Sequence, residues 1–90
     1  MITLTGKLIC ATEAEAELVR AHLPEHIRLT NAEPGCIAFT AVPGEDPLVW
    51  QVDEAFEDRA AFEAHQTRTK ASDWARETAG IQRDFKLSEG

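Results

Sequence analysis

Four side chains carry most of the chemical potential of this sequence: His65, Glu54, Trp74 and Arg68. An unperturbed histidine titrates at about 6.5, so His65 can give or take a proton near neutral pH. It lies one helical turn beyond Phe62, and a histidine there equally suits packing its helix against a sheet. Glu54 alternates with Trp50, Val52 and Phe56. Burial among those residues would make it a stronger base, whereas an ion pair with Arg83, or with an arginine of a second copy, would make it structural. Trp74, Trp50 and Phe39 are the aromatics available to grip a planar ring, with Trp50 and Phe39 also suited to a core. Arg68 lies close in sequence to Trp74 as a partner for an anion.

Other constellations are weaker. His22 and His26 stand four apart on one helix, a spacing that can bind a metal, but no third ligand follows and both read as surface residues. Cys10 and Cys36 are too few for a disulfide framework or a zinc site, and each falls in an apolar strand pattern as a small hydrophobe. There is no Gly-x-Gly-x-x-Gly after a strand and no metal-binding cluster, so no cofactor is expected.

The elements that must position these residues alternate plainly. Ile2 to Cys10 has a period of two, with Ile2, Leu4, Leu8 and Cys10 on one face. Thr12-Glu13-Ala14-Glu15 is a capping box that opens a helix. Leu18, Val19, His22, Ile27 and Leu29 are its expected buried stripe, and Pro24 predicts a kink or a second helical segment. Glu33-Pro34-Gly35 ends it. Cys36 to Val42 and Leu48 to Phe56 are strands joined by a Pro43-to-Pro47 turn, with Ile37, Phe39 and Ala41 expected on one face of the first. Asp58 caps a helix through His65, a weaker helical signal follows over Thr67 to Ala71, and Ser72 caps a short helix containing Trp74. Ile81 to Leu87 is the last strand.

The order βαββαβ predicts a single α+β domain over residues 1–90, a ferredoxin-like four-stranded antiparallel sheet with both helices on one face. The hairpin strands carry apolar residues on both faces, which predicts a homodimer burying the open face. A net charge of −7 argues against nucleic acid or an anionic membrane as partner. No run is apolar and long enough to span a bilayer, and the N-terminus alternates like a strand rather than a leader, so a cytoplasmic protein is expected.

Glu33-Pro34-Gly35-Cys36, the hairpin with Trp50 to Phe56, and the run Phe56-Glu57-Asp58-Arg59-Ala60-Ala61-Phe62-Glu63-Ala64-His65 together resemble the antibiotic biosynthesis monooxygenase family. The resemblance implies a dimeric α+β barrel and a cofactor-independent oxygenation of a quinol, anthrone or similar polycyclic phenol by O2. Such a substrate, once deprotonated, can itself pass an electron to O2, and the protein supplies a dry pocket, a base and hydrogen bonds. On that reading His65, Trp74 and Glu54 are catalytic, and Phe39, Trp50, Phe62 and Arg68 bind the aromatic substrate. Haem-degrading relatives on the same barrel resemble one another in an asparagine on the first strand and a tryptophan preceding the histidine. Here the first strand has no asparagine and Trp74 follows His65, which sets that activity behind. The alternative in another class is a dimeric ligand-binding or stress-related module without turnover.

Overall fold

The computed structural model describes residues 1–90. Its elements are β1 (Ile2–Ile9), α1 (Glu13–Asn31), β2 (Cys36–Pro43), β3 (Val49–Phe56), α2 (Arg59–Lys70), α3 (Asp73–Glu77) and β4 (Gln82–Glu89). The four strands form one antiparallel sheet in the order β2-β3-β1-β4. This is the ferredoxin-like arrangement expected from the element order.

Register divides the helix-covered face into four rows across the sheet. Cys36, Phe56, Ile2 and Glu89 make the first, Phe39, Glu54, Leu4 and Leu87 the second, Ala41, Val52, Gly6 and Phe85 the third, and Pro43, Trp50, Leu8 and Arg83 the fourth. Side chains directly opposite one another point to the same side, so these rows are the floor of the core. Gly6 is required in the third. A Cβ there would lie 2.1 Å from the Asp84 carbonyl oxygen and 2.8 Å from Cδ1 of Phe85, so glycine lets the Phe85 ring lean across β1.

One irregularity changes the reading of β2. The register slips between Cys36 and Ala38, leaving Ile37 without a partner. An extra residue of this kind bends the strand and resets its alternation. Cys36 therefore shares the core face with Phe39 and Ala41, while Ile37 is 54% exposed, contrary to its expected place beside Phe39.

Helix α1 starts on its expected cap, with Thr12 Oγ1 accepting from the Glu15 amide at 3.2 Å and Glu15 accepting from the Ala11 amide at 2.6 Å. It runs unbroken through Pro24, which sits on the exposed side. Its buried stripe differs from the expected one. Ala16, Val19, Leu23, His26 and Thr30 face the sheet at alternating three- and four-residue spacing, and Leu18, His22, Ile27 and Leu29 flank them half-buried. Choosing the stripe by hydropathy excluded His26 and Thr30, and so turned the helix away from its packed face.

Helix α2 is capped by Asp58, whose carboxylate accepts from the Ala61 amide at 2.8 Å, and it continues through Thr67 to Lys70 without the expected weakening. Ser72 caps α3 by accepting from the Ala75 amide. The core beneath the helices has two parts. Ile2, Leu4, Phe56 and Phe62 form a small cluster, and a larger one gathers Leu8, Val19, Leu23, Phe39, Trp50, Val52 and Trp74 with neighbours. No helix is long and apolar enough to cross a membrane.

Candidate functional site

The seam between the two clusters is polar. His65 projects from α2 on the same buried face as Phe62, with its ring 4.8 Å from Phe56 and 6.3 Å from Phe39 between centroids. Its Nδ1 is 2.9 Å from Glu33 Oε2, and its Nε2 is 3.4 Å from Glu54 Oε1. The first is a hydrogen bond and the second an ion-pair contact without hydrogen-bond geometry.

Glu33 reaches His65 because of the turn that follows it. Gly35 takes φ +87°, and a Cβ there would come within 2.6 Å of Ala61 Cβ, so only glycine lets this turn lie against the first turn of α2. The amide of Glu57 closes the contact by donating to the Gly35 carbonyl at 2.8 Å. Glu33 then spans His65 and Arg68, whose Nε donates to Glu33 Oε1 at 2.5 Å. Arg68 also donates to Thr30 Oγ1 at 2.9 Å, and Thr30 is fully buried. The result is a line of groups, Arg68, Glu33, His65, Glu54, running from the helix edge into the core.

This line governs the protonation of His65. Burial pushes its pKa down, but the close contact and charge of Glu54, with the charge and hydrogen bond of Glu33, outweigh burial and leave it raised above 6.5. His65 therefore keeps its positive charge to higher pH than a free histidine does. A line of alternating charges costs less to bury than its members alone, because each faces an opposite charge at short range.

A second histidine lies close by with the opposite tendency. His26, on α1, stacks on Trp74 at 5.0 Å and 13° between planes, meets Phe39 edge-on at 5.3 Å, and lies 5.8 Å from the His65 ring. It is 4% exposed, so it is not the surface residue expected from the lack of a third ligand beside His22 and His26. Burial, then the positive charges of Arg68, His65 and Arg83, lower its pKa to about 3, and its sealed Nδ1 has no hydrogen-bond partner. No three His, Cys, Asp or Glu side chains are grouped to hold a metal.

Two cavities border the His26 and Trp74 pair. The larger, of about 350 Å³, lies under α2 and α3 and is lined by Glu54, His65, Trp74, Arg83 and Phe85 among others. The smaller, of about 280 Å³, lies between α1 and α3 and is lined by His22, Glu25, Arg68 and Asp73 besides the shared pair. A third, narrow void of about 30 Å³ beneath them touches Phe39, Val52, Glu54 and Arg83.

Of the residues expected at a site, His65, Glu54 and Trp74 thus meet in one cavity, and Phe39 borders the void below it. Arg68 acts through Glu33 and faces the smaller cavity. Trp50 and Phe62 are core residues that line neither large cavity. Glu54 does not pair with Arg83, because register sets them two rows apart. Glu33 and His26 were missed as site residues. Their signals were faint: an acid just before a Pro-Gly turn, and a histidine in three-four register with Ala16, Val19 and Leu23.

The family model described as antibiotic biosynthesis monooxygenase matches residues 1–77. Among solved structures the chain is similar to a candidate antibiotic biosynthesis monooxygenase from Deinococcus radiodurans, with TM-score 0.79 and 20% identity, covering 100% of this chain and 92% of that one. A second candidate of the same description, from Nitrosomonas europaea, gives TM-score 0.77 and 18% identity over 99% of this chain and 89% of that one. A Bacteroides thetaiotaomicron protein of unknown function, described as a possible oxidoreductase, gives 0.75 and 17% over 99% and 96%. At these identities the likeness is one of fold. No curated protein matches the chain.

Proposed function

The chain belongs to the antibiotic biosynthesis monooxygenase family, and from that premise we propose that it oxygenates an anthrone, quinol or similar polycyclic phenol in the larger cavity, without metal or flavin. The observation that carries this is the line Arg68, Glu33, His65, Glu54, which ends with a carboxylate in a cavity walled by Trp74 and Phe85. A planar substrate sits between these walls with its acidic hydrogen toward Glu54.

Glu54 is the proton acceptor, and the charged His65 beside it stabilises the anion left on the substrate. The substrate anion passes one electron to O2, and the resulting radical and superoxide combine to form a carbon–oxygen bond. The peroxide takes the proton back through Glu54 and loses water. For an anthrone the methylene carbon becomes a ketone. One atom of O2 is kept in the product and the other leaves as water with the two hydrogens removed.

The working form is proposed as a homodimer. Ile9, Val42, Val49 and Ala55 lie on the face of the sheet that no helix covers, with Val42 53% exposed. Sedimentation at micromolar concentration should give the mass of two chains, and a monomer would end that part of the reading.

The catalytic reading is tested by oxygen uptake with dithranol and a panel of hydroquinones. Uptake should exceed the spontaneous rate, ¹⁸O2 should leave a single labelled atom in the product, and Glu54→Gln should slow turnover by about 10² or more, the usual reach of a lost proton acceptor. Absence of any uptake above background would transfer the site to a binding module, in which the two carboxylates merely hold His65 in place.

A further inference from the structure

Arg83 stands apart from the other arginines. Arg20, Arg28, Arg59, Arg68 and Arg76 each sit against a carboxylate of this chain, and Arg83, the sixth and last, has none. It is nonetheless held firmly. Nη1 donates to the Thr78 and Ile81 carbonyls at 2.7 and 2.8 Å, and Nη2 donates to Thr78 Oγ1 at 2.8 Å. Its guanidinium carbon lies 5.8 Å from the Trp74 ring centroid. Partial burial lowers its pKa, whereas carboxylate hydrogen bonds raise those of Arg20 and Arg28.

A guanidinium fixed by neutral oxygens, with its charge left unanswered, is preorganised for an anion from outside the chain. Its place in the sheet says where that anion belongs. Arg83 stands in the fourth row and Glu54 in the second, four residues apart along the strands, or about 13 Å at 3.3 Å per residue. Phe85 occupies the row between, leaning over Gly6, and both Arg83 and Glu54 line the larger cavity with Phe85 and Trp74. Lys70 adds a second positive group to the cavity lining. The cavity thus has Glu54 with His65 at one end and Arg83 four residues away along the strands, within a protein of net charge −7.

We propose that Arg83 binds a carboxylate carried by the substrate, so that the ligand is a planar polycyclic aromatic acid lying with its acidic hydrogen at Glu54 and its anionic group at Arg83. The inference rests on the reading of this cavity as the oxygenation site. It adds a substrate class: a molecule polar at both ends, oriented by charge before any proton moves. Fixing both ends of a planar molecule selects one of its two lengthwise orientations, and it would place the same carbon beside Glu54 in every encounter.

The test is binding alone, which separates it from turnover. Anthracene-2-carboxylate and anthracene-2-carboxamide have nearly the same shape and differ in charge. Titrated against the intact protein at pH 7.5 and followed by fluorescence, the carboxylate should bind about tenfold tighter, as one charge-assisted bidentate contact supplies. Raising salt to 0.5 M should narrow the gap. Arg83→Gln should weaken the carboxylate to the level of the amide and leave the amide unchanged. An arginine that only braced the turn after α3 would instead lose both ligands equally as the variant loosened.

Equal affinity of the wild-type protein for the two ligands would overturn the proposal while leaving the cavity reading intact, and it needs no variant to fold. A preference that survives Arg83→Gln would overturn it too. If neither anthracene binds, the proposal fails, while oxygen uptake with dithranol still decides the cavity reading on its own.

Discussion

The two clusters of the core sit side by side on one sheet and are built for different tasks. In the smaller, Phe56 is fully buried, and Ile2, Leu4 and Phe62 close on it by apolar contact. The larger has more residues and more aromatic surface, but His26 is wedged against Trp74 and Phe39 beside it and cavities run along its border. The polar line through His65 marks the boundary. Tight packing on one side supplies the rigidity that holds Glu54 and His65 in place, and looser packing on the other leaves room for a ligand. Stability and function are thereby drawn from neighbouring but distinct sets of side chains.

That contrast is broken most directly at Phe56. Phe56→Ala should cost about 3–5 kcal/mol in urea unfolding, the range for deleting a fully buried ring that cannot be refilled. Trp74→Phe, on the cavity side, should cost less than about 1.5 kcal/mol, because a smaller ring beside an existing void removes little packing. Comparable losses for the two would mean the cavity border is as tightly packed as the small cluster.

The two histidines sharpen the contrast through pH. His26, held down to about 3, refuses a proton that the unfolded chain accepts below 6.5, so its contribution is whole above 6.5 and is lost as pH falls toward 3. By pH 4 that loss reaches ~3 kcal/mol at about 1.4 kcal/mol per unit. His65, held above 6.5, works in the other direction. Its contribution is whole below 6.5 and is lost as pH rises through its folded value. His26→Leu should flatten the acid limb of the stability profile and His65→Gln the alkaline one. A His26 ring that titrates near 6.5 by NMR would contradict its burial.

A further effect, smaller than that at Phe56, belongs to the turn between the two regions. Gly35→Ala should cost about 2 kcal/mol from the positive φ and the contact with Ala61. It should also move Glu33 off His65 and bring the His65 pKa down toward 6.5. A variant with unchanged stability and an unchanged His65 titration would show that the turn does not position Glu33.

Much of the fold was legible because its signals are local. Thr12, Asp58 and Ser72 cap the helices they were expected to cap, since a cap needs only its own oxygen and an amide three residues away. The alternation of β1 and β3 placed Leu4, Leu8, Trp50 and Phe56 on the buried face for the same reason. The slip at Ile37 was hidden because a bulge is a property of two paired strands, and one strand alone does not reveal it. The inward turn of α1 was hidden because His26 and Thr30 are polar, and their burial depends on Trp74, Phe39 and Arg68 arriving from elsewhere.

His65, Glu54 and Trp74 were recognisable by type and spacing, and the sequence by itself determined the order of elements, their caps and the family to which they belong. Only the tertiary structure decided what those residues meet. Glu33 lies 32 positions from His65 along the chain, and it reaches the ring because Gly35 lets a turn touch α2. Glu54 faces His65 instead of Arg83 because strand register, set by the whole sheet, places Arg83 two rows away. Charge pairing acts over a few ångströms, and which groups come that close is settled by packing rather than by position in the chain.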